Sequence, residues 1–441
     1  MASESKSQNP HGAFDAHHPP ARELIDACVH CGFCLPACPT YALWGQEMDS
    51  PRGRIYLMKL ALNGHVQMNE KWVSHFDSCL GCVACMPACP SGVDYGKLIE
   101  ATRAQIERNY QRPAAEKLHR KLLFATFTKP ARLNLLRWPL LAYQKTGLQF
   151  VLRALGLFKL LPKSIEAMDA LLPKVRHVEA VPTITPATGG KRRRVGLLLG
   201  CVQRTFFSHV NAATLRVLAA EGCEVIAPPE QTCCGALFVH AGEETQAQEL
   251  ARKTIDAFEQ ANVETIVINA AGCGSNVKEY GHLLRDDPVY AQRAKNFSAK
   301  CRDISELLAE LPARAERKPL NVRVAFHDSC HLQHAQGVRA QPRSLLAQIP
   351  GLQLAEIPEA PICCGSAGIY NLVQPQAANE LGDRKAQLIA PLQPDVVATG
   401  NPGCLLQLQA SLDRGGHHIP VVHTIQLLDA SLRGLPLDSL R

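Results

Sequence analysis

Short runs of β-branched and other apolar residues alternate with longer helical segments in the C-terminal part of the chain. The first such region has runs at 195–199, 224–226 and 265–268, with helical segments at 210–220 and 246–260 between them. This alternation is typical of an α/β lobe built around a parallel sheet. We therefore predict an α/β lobe over residues 191–320, with functional loops at the ends of its strands.

The same pattern occurs a second time. Segment 194–201 resembles 323–330, Cys-Cys-Gly at 233–235 resembles 363–365, and 264–273 resembles 395–404. The separations also agree: Cys201 to Cys233 is 32 residues and Cys330 to Cys363 is 33. Cys234 to Cys273 is 39 residues and Cys364 to Cys404 is 40. Two matching intervals with shared local sequence indicate a duplication. We predict a second α/β lobe over 321–441.

The N-terminal part has a different pattern. Residues 1–20 are polar and predict a flexible tail. Residues 21–105 are dense in Cys, Gly and Pro, with short helices such as 54–62, whose start is marked by Pro51 and Gly53. Residues 106–190 predict a basic helical region that ends in a Pro- and Gly-containing linker. The predicted fold class is therefore multidomain, α+β and α/β, with a helical cysteine-rich domain, a helical linker region and two duplicated lobes.

The positive charge is concentrated in one segment. Residues 111–180 contain 13 Lys or Arg and four acids, a net charge of +9, whereas the whole chain carries +7 and the remainder therefore −2. Apolar residues are interleaved with these charges, but no uncharged run approaches the roughly 18 residues that span a bilayer. The segment predicts either helices that lie on an anionic membrane surface or ordinary helices with solvated charges. The overall charge is too small to indicate a nucleic-acid partner.

The 18 cysteines are the main chemical signal. The first twenty residues lack the apolar core of a secretory signal, so we expect a cytoplasmic protein whose thiols are metal ligands or redox groups. Eight cysteines form two runs with the spacing C-x2-C-x2-C-x3-C-P, which is the bacterial ferredoxin run. The first run comprises Cys28, Cys31, Cys34 and Cys38, and the second comprises Cys79, Cys82, Cys85 and Cys89.

This spacing predicts two 4Fe-4S clusters with crossed ligation. Three cysteines, each three positions from the next, wrap a loop around one cluster, and the fourth projects toward the other cluster. Cluster 1 is thus expected at Cys28, Cys31, Cys34 and Cys89, and cluster 2 at Cys79, Cys82, Cys85 and Cys38. Zinc is the alternative, but structural zinc sites generally use two C-x2-C pairs. His30, inside the first run, is expected to pack against the cluster.

A further eight cysteines form two quartets in the duplicated lobes. The first quartet is Cys201, Cys233, Cys234 and Cys273, and the second is Cys330, Cys363, Cys364 and Cys404. Each quartet is a candidate zinc or iron–sulfur centre, because the glycine after each adjacent pair lets the backbone turn both thiols to one side. Buried structural cysteine is the alternative. His327 and His331 flank Cys330 and are open to roles as ligand, proton donor or core histidine.

These motifs together resemble a known family. A ferredoxin-type domain followed by two Cys-Cys-Gly (CCG) repeats is similar to the iron–sulfur subunit of glycolate oxidase, also called glycolate dehydrogenase. The resemblance rests on segments 28–34, 38–41, 50–57, 89–93, 271–275, 278–281, 331–336 and 363–370. The fuller CCG pattern ends each repeat in CxxC, whose first cysteine would fall at Ala270 and Asn401. That departure argues against the noncubane clusters and disulfide reduction of the related heterodisulfide reductase.

The resemblance implies an electron-transfer subunit without catalytic residues of its own. Its partner would be an FAD-containing subunit that oxidises glycolate to glyoxylate, and electrons would pass to a quinone or another acceptor, with the protein in the cytoplasm or peripheral on the membrane. No G-x-G-x-x-G follows a strand, so we expect no flavin or NAD in this chain, and the isolated chain is expected to be inactive on substrate. The alternatives are an iron–sulfur subunit of a lactate or glycerol-3-phosphate dehydrogenase, a heterodisulfide-reductase-like enzyme, or a non-catalytic redox or metal-binding protein.

Overall fold

The computed structural model describes residues 12–440, which divide into two units. Unit 1 contains the described residues up to Arg120 together with Phe238–Glu244, and unit 2 contains the remainder. The division therefore falls inside a helix beyond the predicted boundary at 105. The basic region after Arg120 and most of both duplicated lobes lie in unit 2, and the predicted division of this part into domains stays a prediction.

Unit 1 is helical. Its helices are α1 Arg22–Asp26, α2 Pro39–Trp44, α3 Pro51–Leu62, α4 Glu70–Asp77, α5 Tyr95–Asn109 and the first half of α6 Ala114–Phe127, with a 3-10 turn at Glu47–Asp49. Ser50 caps α3 by accepting a hydrogen bond from the Gly53 N–H at 3.0 Å, and Pro51 occupies the first turn. Asn69 and Asp94 cap α4 and α5 in the same way. The capped helices α4 and α5 flank the second cysteine run.

Part of the segment predicted as a flexible tail belongs to the core of unit 1. Phe14 is only 1% exposed and meets Trp72 edge to face, with 6.1 Å between the ring centroids. Asp15 accepts hydrogen bonds from Gln105 and Arg108 on α5, each at 2.9 Å. The tail prediction is therefore wrong for residues 12–20, because one aromatic side chain finds a buried site. Residues 1–11 lie outside the described residues.

Unit 2 begins with helices and continues into two parallel sheets. The helices after α6 are α7 Pro130–Lys145, α8 Leu148–Ala154 and α9 Lys163–Ala170. The elements of the first lobe are β1 Ile184–Thr185, β2 Arg193–Leu198, α10 Val202–Phe206, α11 Ser208–Ala220, β3 Cys223–Ile226, α12 Ala236–Ala241, α13 Glu244–Gln260, β4 Thr265–Ile268, α14 Ala271–Lys278, α15 Tyr280–Leu283, α16 Ala291–Lys300, β5 Cys301–Asp303 and α17 Ile304–Glu310. Those of the second lobe are β6 Val322–Phe326, a π-helical turn His331–Ala335, α18 Ala340–Leu346, β7 Leu352–Glu356, α19 Tyr370–Val373, α20 Pro375–Ile389, β8 Val396–Thr399, α21 Pro402–Arg414, β9 Val421–His423 and α22 Thr424–Arg433. Short 3-10 turns lie at Leu157–Leu160, Ala390–Leu392 and Leu437–Leu440.

The two sheets have the same topology. The first has the order β1-β3-β2-β4-β5 and the second β7-β6-β8-β9, and every pair is parallel except β1 with β3. The four-strand order β3-β2-β4-β5 is thus repeated as β7-β6-β8-β9, which confirms the predicted pair of α/β lobes. The predicted linker contributes β1, which pairs antiparallel at the sheet edge, with Ile184 opposite Ile226.

The two lobes share a hydrophobic core. One face of each sheet contributes to a single buried cluster, with Val195 and Leu197 from β2 and Val324 and Phe326 from β6. Helices α11, α17, α18 and α22 also contribute to this cluster. The other faces carry separate cores, one for each lobe. Among the described residues, no helix combines the length and apolar character required to cross a membrane.

Candidate functional site

The first candidate site is a cavity in unit 1 between the loops of the two cysteine runs. Cys28, Cys31 and Cys34 line it together with Cys89 and Cys85, which come from the second run. Of the four cysteines predicted for cluster 1, Cys31 is exposed and the other three are half-buried. The structure therefore brings these four residues together, with Cys85, predicted for cluster 2, beside them. Ligation itself stays a prediction.

The second set of cysteines in unit 1 is more deeply buried. Cys79, Cys82, Cys85 and Cys38 are all less than a tenth exposed. Burial raises the pKa of Cys85 well above its usual range, and neighbouring thiols, Cys38 among them, raise it further. Cys34, also from the first run, is another of these thiols, so nearness to the second run is shared by two cysteines of the first run, and the ligation by Cys38 stays a prediction. The two sites differ in solvent access, because only the first reaches the surface through an exposed cysteine.

The backbone of the two runs follows the same path. His30 and Gly81 occupy equivalent positions, three residues into the two runs, and both adopt a left-handed conformation, with φ of 54° and 62°. Gly32 and Val83, two positions later, do so as well. Left-handed backbone at a non-glycine residue is uncommon and is maintained where the surrounding structure requires it. The His30 ring meets Tyr56 edge to face at 6.1 Å, and its expected contact with a cluster stays a prediction.

A buried arginine lies behind the second set of cysteines. Arg54 on α3 is 1% exposed and donates hydrogen bonds to Ser78 Oγ at 2.9 Å and to Thr40 Oγ1 at 3.2 Å. Burial by itself would raise the pKa of Cys79, but the positive charges of Arg54 and Arg103 lower it, which favours the thiolate. Sequence analysis missed Arg54, although a charged residue within an apolar helical run was a usable signal.

The first quartet comes together in the first lobe. Cys201 follows β2, and its Sγ lies 3.4 Å from Cys233 Sγ. Cys234 contacts both Cys233 and Cys273, so the four thiols form a continuous chain. Gly235 turns the backbone at the adjacent pair with φ of 82°, and its N–H donates to Cys233 Sγ at 3.5 Å. The hydrogen bond between the Cys201 and Cys233 thiols and burial raise the pKa of Cys201 well above its usual range.

The second quartet repeats this arrangement with one addition. Cys330 donates to Cys363 across 3.9 Å, and Cys364 contacts Cys363 and Cys404. Gly365 turns the backbone with φ of 92°, and a Cβ there would lie 2.5 Å from the Ala378 carbonyl oxygen. Hydrogen bonding from Cys330 lowers the pKa of Cys363. The additional group is the imidazole of His327.

The structure places the two histidines that flank Cys330 in different surroundings. The ligand atoms of His327, Cys364 and Cys404 all lie within 4.8 Å of one another, and all three residues are buried. His331 begins the π-helical turn, is half-buried, and does not belong to this group. The remaining cysteines, Cys223 in β3 and Cys301 in β5, lie within the sheet, and burial raises the pKa of Cys223 to about 11.

These features define a class of protein: iron–sulfur proteins that join a ferredoxin-type domain to two cysteine-rich lobes. Comparison with known families agrees over most of the chain. Residues 24–93 match the 4Fe-4S dicluster domain, residues 115–172 the glycolate oxidase iron–sulfur subunit linker region, and residues 195–278 and 324–409 the cysteine-rich domain.

Curated relatives narrow the class. A probable glycolate oxidase iron–sulfur subunit from Bacillus subtilis is 40% identical over 92% of this chain and 93% of the relative. The glycolate oxidase iron–sulfur subunit of Escherichia coli is 38% identical over 93% of this chain and 95% of the relative. Lactate utilization protein A from an Exiguobacterium species is 30% identical, over 54% of this chain and 98% of the relative. The chain belongs to the glycolate oxidase iron–sulfur subunit family, which confirms the resemblance and the electron-transfer role predicted from the sequence.

Proposed function

We propose that this chain transfers electrons within a glycolate-oxidising complex. An FAD-containing partner subunit oxidises glycolate to glyoxylate, and the released electrons pass through this chain to a quinone or another acceptor. The supporting observation is the similarity, over nearly the whole length of both proteins, to two glycolate oxidase iron–sulfur subunits. The match to the linker region of the same family adds independent support, because this region lies outside the cysteine-rich parts.

The residues of unit 1 would hold two 4Fe-4S clusters and supply their environment. A 4Fe-4S cluster accepts and donates single electrons at a potential set by charge, hydrogen bonds and solvent exposure. Arg54 places a permanent positive charge behind the second set of cysteines, and the burial of that set limits water access. The first set lies beside Val29 and Phe33, which are 67% and 68% exposed. We assign this apolar loop as the contact for the redox partner.

Deleting this chain from the complex tests the proposal. Dye-linked oxidation of glycolate by cell extracts is expected to fall to background, and an affinity-tagged chain is expected to co-purify with a flavoprotein. Restoring the wild-type chain is the control. If extracts oxidise lactate or glycerol 3-phosphate, but not glycolate, in a manner that depends on this chain, glycolate would be the wrong substrate and the oxidised compound would take its place. Disulfide reduction by the isolated chain would instead place it with the heterodisulfide-reductase-like enzymes.

The basic region supports a peripheral membrane location. Between residues 135 and 165, α7, α8, the following 3-10 turn and α9 carry many exposed large apolar side chains, namely Leu135, Leu136, Trp138, Leu148, Phe150, Val151, Leu155, Leu157, Leu160, Leu161 and Ile165. The surrounding segment has a net charge of +9, from 13 basic and four acidic residues. Apolar side chains beside basic ones are typical of surfaces that bind anionic lipid. We propose that this segment attaches the complex to the membrane that contains its quinone acceptor.

Removing exposed apolar groups should weaken this attachment. The triple substitution Trp138→Ser, Phe150→Ser and Leu160→Ser is expected to lower the affinity for vesicles containing phosphatidylglycerol by about tenfold or more, since each fully buried large apolar side chain contributes roughly 1.5–3 kcal/mol. The three side chains are 63%, 75% and 83% exposed, so the fold should be preserved. Vesicle sedimentation at low and high salt measures the effect.

The matched control replaces Ile184 and Val289 with Ser, because both are exposed apolar residues of unit 2 outside the segment. This control is expected to bind vesicles like the wild type. Equal binding by the triple variant and the wild type would contradict membrane attachment through α7 and α8, and would leave the segment as a surface for the flavoprotein.

A further inference from the structure

The second lobe places one imidazole among its cysteines. His327 follows β6 directly, is 2% exposed, and has its ligand atom within 4.8 Å of those of Cys364 and Cys404. Cys364 and Cys404 come from two other parts of the lobe, the loop before α19 and the first turn of α21. Three separate segments therefore bring a nitrogen donor and two sulfur donors to one point.

The His327 ring forms a hydrogen bond with Cys404, but one of its two nitrogens has no partner in the described part of the chain. Its Nδ1 is buried and has no hydrogen-bond partner among the described residues. A buried polar atom without a partner is costly, and such atoms are rare in folded proteins. A metal ion bound by the imidazole would satisfy the ring, because neutral imidazole nitrogen is a common metal ligand.

The first lobe lacks this group. The repeat aligns Cys201 with Cys330, so the position three residues earlier is Leu198 in the first lobe and His327 in the second. Leu198 is also 2% exposed, so the two side chains occupy equally buried positions. The two lobes share a strand order and four cysteines, yet they differ in donor chemistry at this point.

The residue at the position of the missing fifth cysteine of the CCG pattern also differs between the two lobes. Asn401 stands at that position in the second lobe, and its Nδ2 donates to Cys404 Sγ at 3.5 Å. Asn401 therefore supports a ligand residue through a hydrogen bond, as groups around metal sites commonly do. In the first lobe the position is Ala270, which has no polar side chain. The second lobe thus has both a nitrogen donor and a polar supporting residue that the first lacks.

We propose that His327 is a metal ligand and that it holds a divalent thiophilic ion, Zn²⁺, together with Cys364 and Cys404. Zn–S distances of about 2.3 Å and Zn–N distances of about 2.0 Å place tetrahedral donor atoms roughly 3.5–3.8 Å apart. The observed group fits that size with small side-chain adjustments. This inference selects zinc from the two centres, zinc or iron–sulfur, that the sequence predicts for the second quartet. It makes the two lobes chemically distinct, with thiolate ligands alone in the first and a mixed site in the second.

Zinc content and zinc-edge X-ray absorption of the full-length chain, purified without oxygen, test the proposal. The wild type is expected to contain zinc bound by both nitrogen and sulfur. His327→Leu, which copies the residue of the first lobe, is expected to lose the nitrogen scattering and to bind zinc at least about tenfold more weakly. Because the measurement is specific to zinc, iron bound in unit 1 does not interfere.

His331→Leu is the matched control, since it removes an imidazole from the same segment but outside the group, and it is expected to retain the zinc. Equal zinc content and an unchanged spectrum in His327→Leu would overturn the assignment of His327. Zinc absent from the wild type, or iron in its place, would overturn the metal assignment. Neither measurement depends on glycolate oxidation, so failure of the proposed complex activity is detected separately.

Discussion

Cys38→Ser is expected to destroy the cluster assigned to Cys79, Cys82 and Cys85 and to leave the other cluster intact. The reason is the predicted crossed ligation: Cys38 belongs to the first run in sequence, but it is buried like Cys79, Cys82 and Cys85 and is assigned to their cluster. With two 4Fe-4S clusters, the wild type should contain about eight irons per chain, and the variant about four. A hydroxyl is a poor replacement for a thiolate ligand to iron, so the loss should be nearly complete.

Iron and sulfide quantitation, with electron paramagnetic resonance of the reduced protein, measures this effect. The reciprocal substitution Cys89→Ser should remove the cluster assigned to Cys28, Cys31 and Cys34. Cys301→Ser is the control, because Cys301 is a buried cysteine of β5 in unit 2 and belongs to neither set of cysteines in unit 1. Loss of the first-run cluster in Cys38→Ser would contradict crossed ligation, and a wild-type iron content near four would contradict the pair of clusters.

Arg54→Met should destabilise unit 1 strongly. The guanidinium lies 3.5 Å from the Asp49 carboxylate, and the two side chains are 1% and 9% exposed. Removing one partner of a buried ion pair costs about 3–5 kcal/mol, because the other charge stays buried without compensation. Asp49 also accepts a hydrogen bond from Ser78 at 3.0 Å, so the network persists in part and the loss should lie toward the lower end of that range.

Chemical denaturation of the full-length chain, followed by circular dichroism and cluster absorbance, measures this loss. Lys59→Met is the matched control, since Lys59 also lies on α3 and pairs with the exposed Asp26 at 2.8 Å. An exposed ion pair contributes about 0–1 kcal/mol, so the control should resemble the wild type. Equal free energies of unfolding for Arg54→Met and Lys59→Met would show that the buried network does not stabilise unit 1.

The local pattern of the sequence predicted most of the sheet but not its edge. The run predicted at 265–268 is β4 without change, and those predicted at 195–199 and 224–226 are shifted or extended by one or two residues in β2 and β3. β-Branched runs are informative there because those strands are buried on both faces. Strand β1 has two residues and forms only because β3 presents an open edge. Local pattern carries no information about such an edge.

The sequence indicated which cysteines belong together, but it did not indicate which other side chains surround them. Spacing alone placed Cys89 with the first run and paired the two quartets, because a fixed interval reflects a repeated local geometry. The positions of Arg54 and His327 depend on which side chain a helix or strand turns inward, and that is decided by tertiary packing. The sequence pattern therefore does not distinguish His327 from His331, although only His327 has its ring close to two cysteine thiols.

The core shared by the two lobes couples their folding and their response to substitutions. Arg216 on α11 binds the Asp429 carboxylate on α22 through two hydrogen bonds, at 2.8 and 2.7 Å, beside the common hydrophobic cluster. Each lobe therefore covers apolar surface that the other would expose if it stood alone. The duplicated halves behave like a homodimer whose subunits have been joined in one chain. They should unfold in one cooperative transition, and a substitution in their common core should destabilise both copies together.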